Sequence, residues 1–549
     1  MRLPDPRISS HELNEFVHWR GQAGGKWLIR ADQSHLLIPV IQMFERDRVP
    51  SSVRRARQTR RRKVWHVPPK AQGEPGLYVK EYRYAGVEHA MRMLLGMESV
   101  QREWHAAQRL KRRGLPTFDL MAKGRQARLW GPARSFLVSR EIHGAYPLLE
   151  WLGNSGGRGY PLHSQLIGEL GSLLAMLHEH RIKHLDLHAG NLLITPSGDR
   201  LTLQVVDFQH VRLGRPLKAD ERIRDLAQLI QSLNEYMDEG DVKAVLAVYC
   251  HRAGFELSLG RLEESRKAVL KDWRQRRTRK CLKQGTSFGR LSNQGRCVHF
   301  RRDFPIEVLE QILKEATAVK QSSGSQVLKD SQRTTVTRHL FAFGGKTWRI
   351  CVKSYLARGW MDRLKYLFAR SRARRAWVAG WGLHVREIPA PTPWVLLERR
   401  RLGVLVEEAL IMEDLPEAQP MSRYFRETFA CTRRAGGTHR IRFLKAVAKF
   451  LAHLHESQVY HQDLKASNLL VQDNEDGWSF TLVDHDHIRF DRPLTYREIV
   501  MNLAQLNASV AEGLSRMDRW RFLLIYSKGA SKQHIRKMAR DIAELSRER

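Results

Sequence analysis

Cysteine is scarce in this chain, and none of it is arranged in pairs. The five cysteines, Cys250, Cys281, Cys297, Cys351 and Cys431, are scattered, odd in number and without a CxxC spacing. That argues against a disulfide framework and against a structural zinc site, and it fits a reducing compartment. Long apolar runs are missing as well. No stretch approaches the roughly 20 apolar residues of a membrane-spanning helix. The first residues, MRLPDPRISSHELNEF, lack the apolar core of a secretory signal. The expectation is a chain that is soluble or peripherally attached, on the cytosolic side. Acidic residues are also in deficit, with 58 Asp and Glu against 94 Lys and Arg, a formal charge of +36. Solubility alone asks for a magnitude of only about 2–8 in a small domain. The excess points to an anionic partner: nucleic acid, phospholipid or a phosphorylated glycan.

What the sequence has is a long internal repeat. LHEHRIKHLDLHAGNLLI, from Leu177 to Ile194, is echoed by LHESQVYHQDLKASNLLV, from Leu454 to Val471. The offset is 277 (454 − 177), and it also carries Asp186 to Asp463, Asn191 to Asn468, Asp207 to Asp484 and Asp241 to Asp518. A repeat this long is a duplicated domain rather than a solenoid unit. The chain of 549 residues, 42% hydrophobic, is long enough to give each copy its own core.

Each copy begins with strand-like pieces. In the first they are Lys26 to Arg30, Val64 to Val67 and Leu77 to Val79. In the second they are Arg296 to Phe300, Thr335 to Phe343 and Trp348 to Val352, the last two joined by Gly344-Gly345, a hairpin turn signal. Helical stretches follow at Glu103 to Leu110 and Arg375 to Leu383. Extended segments come next at Leu115-Pro116 and Ile388-Pro389, then strand-like runs at Phe136 to Val138 and Leu410 to Met412. Apolar residues at helical spacing mark Leu162 to His178 and Phe443 to His455. Each half therefore reads as a β-rich lobe followed by a helical one. We expect domains over 20–272 and 291–549, joined by a basic linker over 273–290.

The chemistry sits in the repeated block. Phosphoryl transfer needs a positioned hydroxyl, a metal on the phosphates and positive charge where the transition state is negative. Asp186 can accept or orient the hydroxyl proton, and Asn191, five residues on, can offer an amide oxygen to magnesium. Asp207 ends the apolar run Leu203-Gln204-Val205-Val206, where a carboxylate can complete the coordination of a hard cation. Asp463, Asn468 and Asp484 repeat the arrangement.

HLDLHAGN and HQDLKASN resemble the protein-kinase catalytic loop, and VDFQH and VDHDH resemble its metal-binding segment, with Gln209 and Asp486 in place of glycine. Tyr78-Val79-Lys80 and Cys351-Val352-Lys353 resemble the strand that carries the phosphate-binding lysine. Neither is preceded by a GxGxxG turn. The texture around these motifs is similar to the bacterial lipopolysaccharide-core kinases, the Kdo and heptose kinases, in tandem duplication. The resemblance implies an α+β fold, namely two tandem bilobal kinase-like domains, and ATP-dependent phosphorylation of a sugar hydroxyl on lipopolysaccharide core or a related glycolipid. It implies Asp186 and Asp463 as catalytic bases, with Asn191, Asp207, Asn468 and Asp484 on Mg²⁺. Lys80, Lys353 and Lys465 would face ATP, with Glu103 orienting Lys80. The position matching Glu103 is Ala376 (103 + 273), so the second copy lacks this clamp or borrows another acid. The implied partner is an anionic glycolipid at the cytosolic face of an inner membrane, rather than nucleic acid.

Two rivals stay open. Lys465, two residues after Asp463, is the choice of Ser/Thr protein kinases, although no A-P-E motif follows Asp207 or Asp484. A pseudokinase pair serving as a basic scaffold is the other. The stretch Tyr355 to Trp377, rich in Arg, Lys and aromatics, reads equally as a membrane-surface helix and as a buried helix with a basic face. His184 and His461 are expected to brace the loop, and Trp104 and Trp377 to anchor cores.

Overall fold

The structure is a computed structural model. It describes residues 15–59, 62–71, 73–84, 98–126, 133–154, 162–293, 295–315, 326–356, 365–367, 369–430, 437–475, 477–510 and 514–548. The chain divides into two units, Met1–Leu270 and Lys271–Arg549. The division falls inside the helix Leu259–Arg279, so the basic stretch from 273 onward is helix as far as Arg279. It continues as a 3-10 turn, Lys280–Leu282, and a strand, Phe288–Asn293.

The first unit opens with a seven-stranded antiparallel sheet. Its spatial order is Phe16–Arg20, Lys26–Arg30, Leu120–Gln126, Ala133–Arg140, Leu77–Tyr84, Arg62–Val67 and Arg54–Gln58. Alternation builds it: Trp27 and Ile29 of KWLIR are buried while Lys26 is exposed. The helix Ser34–Glu45 buries Leu37, Val40, Ile41 and Phe44 in the cluster that also holds Trp27 and Phe136. This helix, which carries Pro39 inside it, is not among the helical stretches expected from the sequence. The helix Ser99–Lys111 buries Trp104, Ala107 and Leu110 in a second cluster. That cluster continues into the helical lobe, where His163–Glu179 contributes Leu166, Leu170, Leu173, Leu174 and Leu177.

The second unit repeats the plan. Its sheet runs Phe288–Asn293, Arg296–Arg301, Pro393–Arg401, Val404–Glu413, Lys346–Tyr355, Thr334–Phe343 and Gln326–Ser331. The hairpin at Gly344-Gly345 has φ of +60° and +73°, the left-handed pair that a two-residue turn between twisted strands requires. The helix Arg372–His384 matches Ser99–Lys111 residue for residue, and Trp377, like Trp104, is fully buried.

The basic tract Arg54 to Lys63 is a β-hairpin. Arg54–Gln58 pairs with Arg62–Val67, which pairs with the lysine strand so that Arg62 faces Tyr82 and Val64 faces Lys80. Arg60 and Arg61 lie outside the described residues, as do 321–325 of the Ser-rich segment Gln321 to Gln326, expected to be a loop, and residues 357–364 and 368 of the aromatic–basic stretch.

Candidate active sites

Each unit assembles one site from four places in its chain: the lysine strand, the helix after it, the loop after the short strand at His184 or His461, and the turn that follows Val206 or Val483. The loop is built the same way twice. The Asp186 N–H donates to His184 Nδ1 at 3.3 Å, and the Asp463 N–H to His461 Nδ1 at 3.2 Å. Burial pushes both imidazoles below the ordinary histidine range, so they brace the loop as neutral acceptors. Asn191 Nδ2 donates to Asp186 O, and Asn468 Nδ2 to Asp463 O, both at 2.9 Å. With its nitrogen committed, each amide has its oxygen left for a cation. The Ala189 and Ala466 N–H groups donate to Ser232 Oγ and Ser509 Oγ, both at 2.8 Å.

Asp207 and Asp484 adopt left-handed backbone, with φ of +68° and +66°. A non-glycine residue there is uncommon and costs of order 1 kcal/mol or more, so the fold holds both carboxylates in place against strain. Asp207 Oδ2 accepts from Arg62 Nη1 at 2.9 Å, while its Oδ1 is buried without a hydrogen-bond partner. Burial works against its charge, but Lys80 and Arg62 outweigh that and hold the carboxyl below its ordinary range. Among the described residues no group of three or more His, Cys, Asp or Glu side chains could hold a metal alone. Magnesium needs no such cage where one or two protein oxygens act with nucleotide phosphates. The orphaned Oδ1 of Asp207 and the amide of Asn191 fit that donor set.

Lys80 Nζ is bonded to Glu103 Oε1, and Glu103 Oε2 accepts from Tyr82 OH at 2.9 Å. Glu103 is fully buried. A buried carboxylate in this position pins the ammonium at the mouth of the site, since breaking such a pair leaves an uncompensated charge. In the second unit Ala376 faces the same region, and the acid comes from elsewhere. Lys353 Nζ bonds Asp484 Oδ1, and Asp486 Oδ1 stands 3.0 Å away. Arg372 supports Asp486 Oδ2 at 3.3 Å.

The residue two positions after the loop aspartate also differs. In the first unit His188 Nδ1 accepts from the Gly190 N–H at 3.1 Å, which leaves the proton on Nε2, 3.7 Å from Asp186 Oδ2. This imidazole holds the Asp186 carboxyl below its ordinary range. In the second unit Lys465 Nζ lies 2.8 Å from Asp463 Oδ2. His210 and His487 use their carbonyls, which accept from the Leu185 and Gln462 N–H groups. Asp225 contacts His178 at 3.4 Å, and its counterpart Asn502 accepts from His455 at 3.3 Å and donates to His461 O at 2.6 Å.

The model of the lipopolysaccharide kinase (Kdo/WaaP) family matches residues 45–249 and again 318–526. The chain belongs to this family, in tandem. It is a kinase, a phosphotransferase of the lipopolysaccharide-core type, with two kinase-like units. A solved structure, WaaP in complex with acyl carrier protein, is similar over 46% of this chain and 96% of its own, at 18% identity and a TM-score of 0.33. No curated protein matches the chain.

Sequence reasoning gave no site role to Arg62, Tyr82 or Arg372, and named Gln209 and Asp486 only as replacements for glycine. Asp486 had a readable signal: a lysine that loses its helix acid to Ala376 needs a carboxylate from somewhere, and VDHDH supplies one. The others are set by sheet register and by long-range packing.

Proposed function

We propose that this kinase transfers the γ-phosphoryl group of ATP to a sugar hydroxyl of lipopolysaccharide core or a related glycolipid. The observation that carries the proposal is the orphaned, charge-stabilised carboxylate oxygen of Asp207, set between an anchored lysine and the Asp186–Asn191 loop. Magnesium bound with ATP would neutralise the phosphates there and orient the γ-group. Asp186 orients the acceptor hydroxyl and takes its proton as the new P–O bond forms and the bond to ADP breaks. Its depressed pKa keeps it ionised for that work. Lys80, pinned by Glu103, holds phosphate oxygens, and Asn191 and Asp207 hold the metal. Asp463, Asn468, Asp484, Lys353 and Lys465 take the corresponding places in the second unit.

The charge of +36 supports an anionic acceptor, and it supports attachment to the cytosolic face of an inner membrane by charge. Among the described residues no helix is long and apolar enough to cross a membrane.

The test is radiolabelled phosphate transfer from ATP·Mg²⁺ to purified core lipopolysaccharide by the wild type, Asp186→Asn, Asp463→Asn and the double variant. Label on glycolipid that disappears in the double variant is the expected result. A folded wild-type chain that labels no glycolipid overturns the acceptor assignment.

A further inference from the structure

Four positions around the lysine differ between the two units, and they differ together. At the start of the hairpin's second strand, facing the retained tyrosines Tyr82 and Tyr355, the first unit has Arg62 and the second Thr334. The first residue of the following helix is Ser99 in one and Arg372 in the other. The fifth residue of that helix is Glu103 or Ala376. Two residues after the metal-suited aspartate stands Gln209 or Asp486. Each set of four carries one cation and one anion. The cation has moved from strand to helix, and the anion from helix to loop.

The moved anion meets the same lysine. Glu103 touches Lys80 and Tyr82; Asp486 stands 3.0 Å from Lys353, whose ammonium lies 5.1 Å from the Tyr355 ring centre. Arg62 reaches the metal-suited Asp207 from its hairpin, at 2.9 Å from Oδ2, whereas the cation of the second unit reaches the lysine's own acid. Arg372 reaches Thr334 Oγ1 and Asp486 Oδ2, each at 3.3 Å, and its guanidinium lies 4.8 Å from the Tyr355 ring. Gln209, neutral, donates to Tyr82 OH, whereas its charged counterpart Asp486 is almost wholly buried. A site losing its function by drift would shed the helix acid without a replacement. Here each lost charge is restored from a different element.

We propose that the second unit is a working nucleotide site in which Asp486, held by Arg372, is the positioning acid for Lys353. This deepens the kinase reading above and rests on it. In the free protein Asp484 lends Lys353 a second carboxylate. With nucleotide bound, Asp484 would hold the metal, and Asp486 alone would keep the ammonium aimed at the phosphates.

The test is calorimetric titration of the full-length chain with a non-hydrolysable ATP analogue and Mg²⁺. The wild type is expected to bind two equivalents. Lys80→Ala with Asp207→Asn, which silences the first unit, is expected to leave one. Adding Asp486→Asn to that chain weakens the remaining site at least tenfold. Replacing that change by the pair Asp486→Gln and Ala376→Glu, which recreates the first unit's arrangement, restores most of the affinity. This swap also guards against simple misfolding, because a merely structural aspartate would not be rescued by an acid on another element. One equivalent in the wild type and none in the silenced chain overturns this proposal and leaves the kinase reading standing. Unchanged affinity on Asp486→Asn, or a swap that restores nothing, overturns the role of Asp486. No binding by the wild type overturns both readings.

Discussion

Arg62 Nη1 lies 2.9 Å from Asp207 Oδ2, so a guanidinium from the basic hairpin rests on the carboxylate best suited to hold metal. The hairpin occupies the strand pair before the lysine strand, where a phosphate-covering turn is needed and no glycine-rich motif exists. When a cation takes Asp207, this guanidinium is left facing the phosphates. Arg62→Ala, in an Asp463→Asn background so that only the first unit reports, is expected to raise KM for ATP roughly tenfold or more. That is the scale of one charge-assisted hydrogen bond. Steady-state kinetics against ATP decide it, and an unchanged KM would show that the arginine serves Asp207 alone.

The first unit's pH profile carries a signature of His188. This imidazole keeps the Asp186 carboxyl below its ordinary range, so the wild-type base stays ionised into acid. His188→Ala removes the donor, the carboxyl pKa rises, and the acidic limb of kcat/KM moves to higher pH. Superimposable profiles for the two proteins, again in the Asp463→Asn background, would contradict the coupling.

Gly171 marks a close contact between two helices of the first unit. A Cβ there would meet Val245 O at 2.7 Å and Val248 Cβ at 2.8 Å, so the backbone of the neighbouring helix would have to shift. Gly171→Ala is expected to lower stability by about 1–3 kcal/mol, although alanine is the better helix former by about 1 kcal/mol. Denaturant unfolding checks this. A gain in stability would mean that the two helices slide apart at little cost.

Acid should weaken the second unit through its buried histidines. Burial pushes His455 and His485 down to about 4, against about 6.5 when unfolded. Between these values the unfolded chain binds more protons. Stability is therefore full above about pH 6.5 and falls as pH drops toward 4, by up to about 1.4 kcal/mol per pH unit for each group. His455→Gln, which can keep a polar contact with Tyr526 OH (2.7 Å from His455 Nδ1), should flatten the slope. Urea midpoints at several pH values for both proteins would show it, and equal slopes would remove His455 from the account.

Much of the site was readable because its motifs are local. Asp186 and Asn191 are five residues apart on one loop, and their hydrogen bond is set within that loop. Lys80 and Glu103 lie on consecutive elements, 23 residues apart, so a strand followed by a helix suffices to pair them. The alternation of KWLIR and the Gly344-Gly345 turn likewise fix strands from within a few residues. Arg62 and Asp207 are 145 residues apart, and Lys353 and Asp486 are 133 apart. No local pattern links such pairs.

The sequence by itself determined the duplication, the order of a β-rich lobe before a helical one in each half, and the residues of the two loops. Periodicity and short motifs encode those within a few turns of chain. Only the tertiary structure decided which cation meets which carboxylate. A buried charge takes whichever partner the packing brings within about 3–4 Å, whatever the separation along the chain. Thus Arg62 meets Asp207 from a strand and Arg372 meets Asp486 from a helix, while Glu103 and Asp486 hold their lysines from a helix and from a loop.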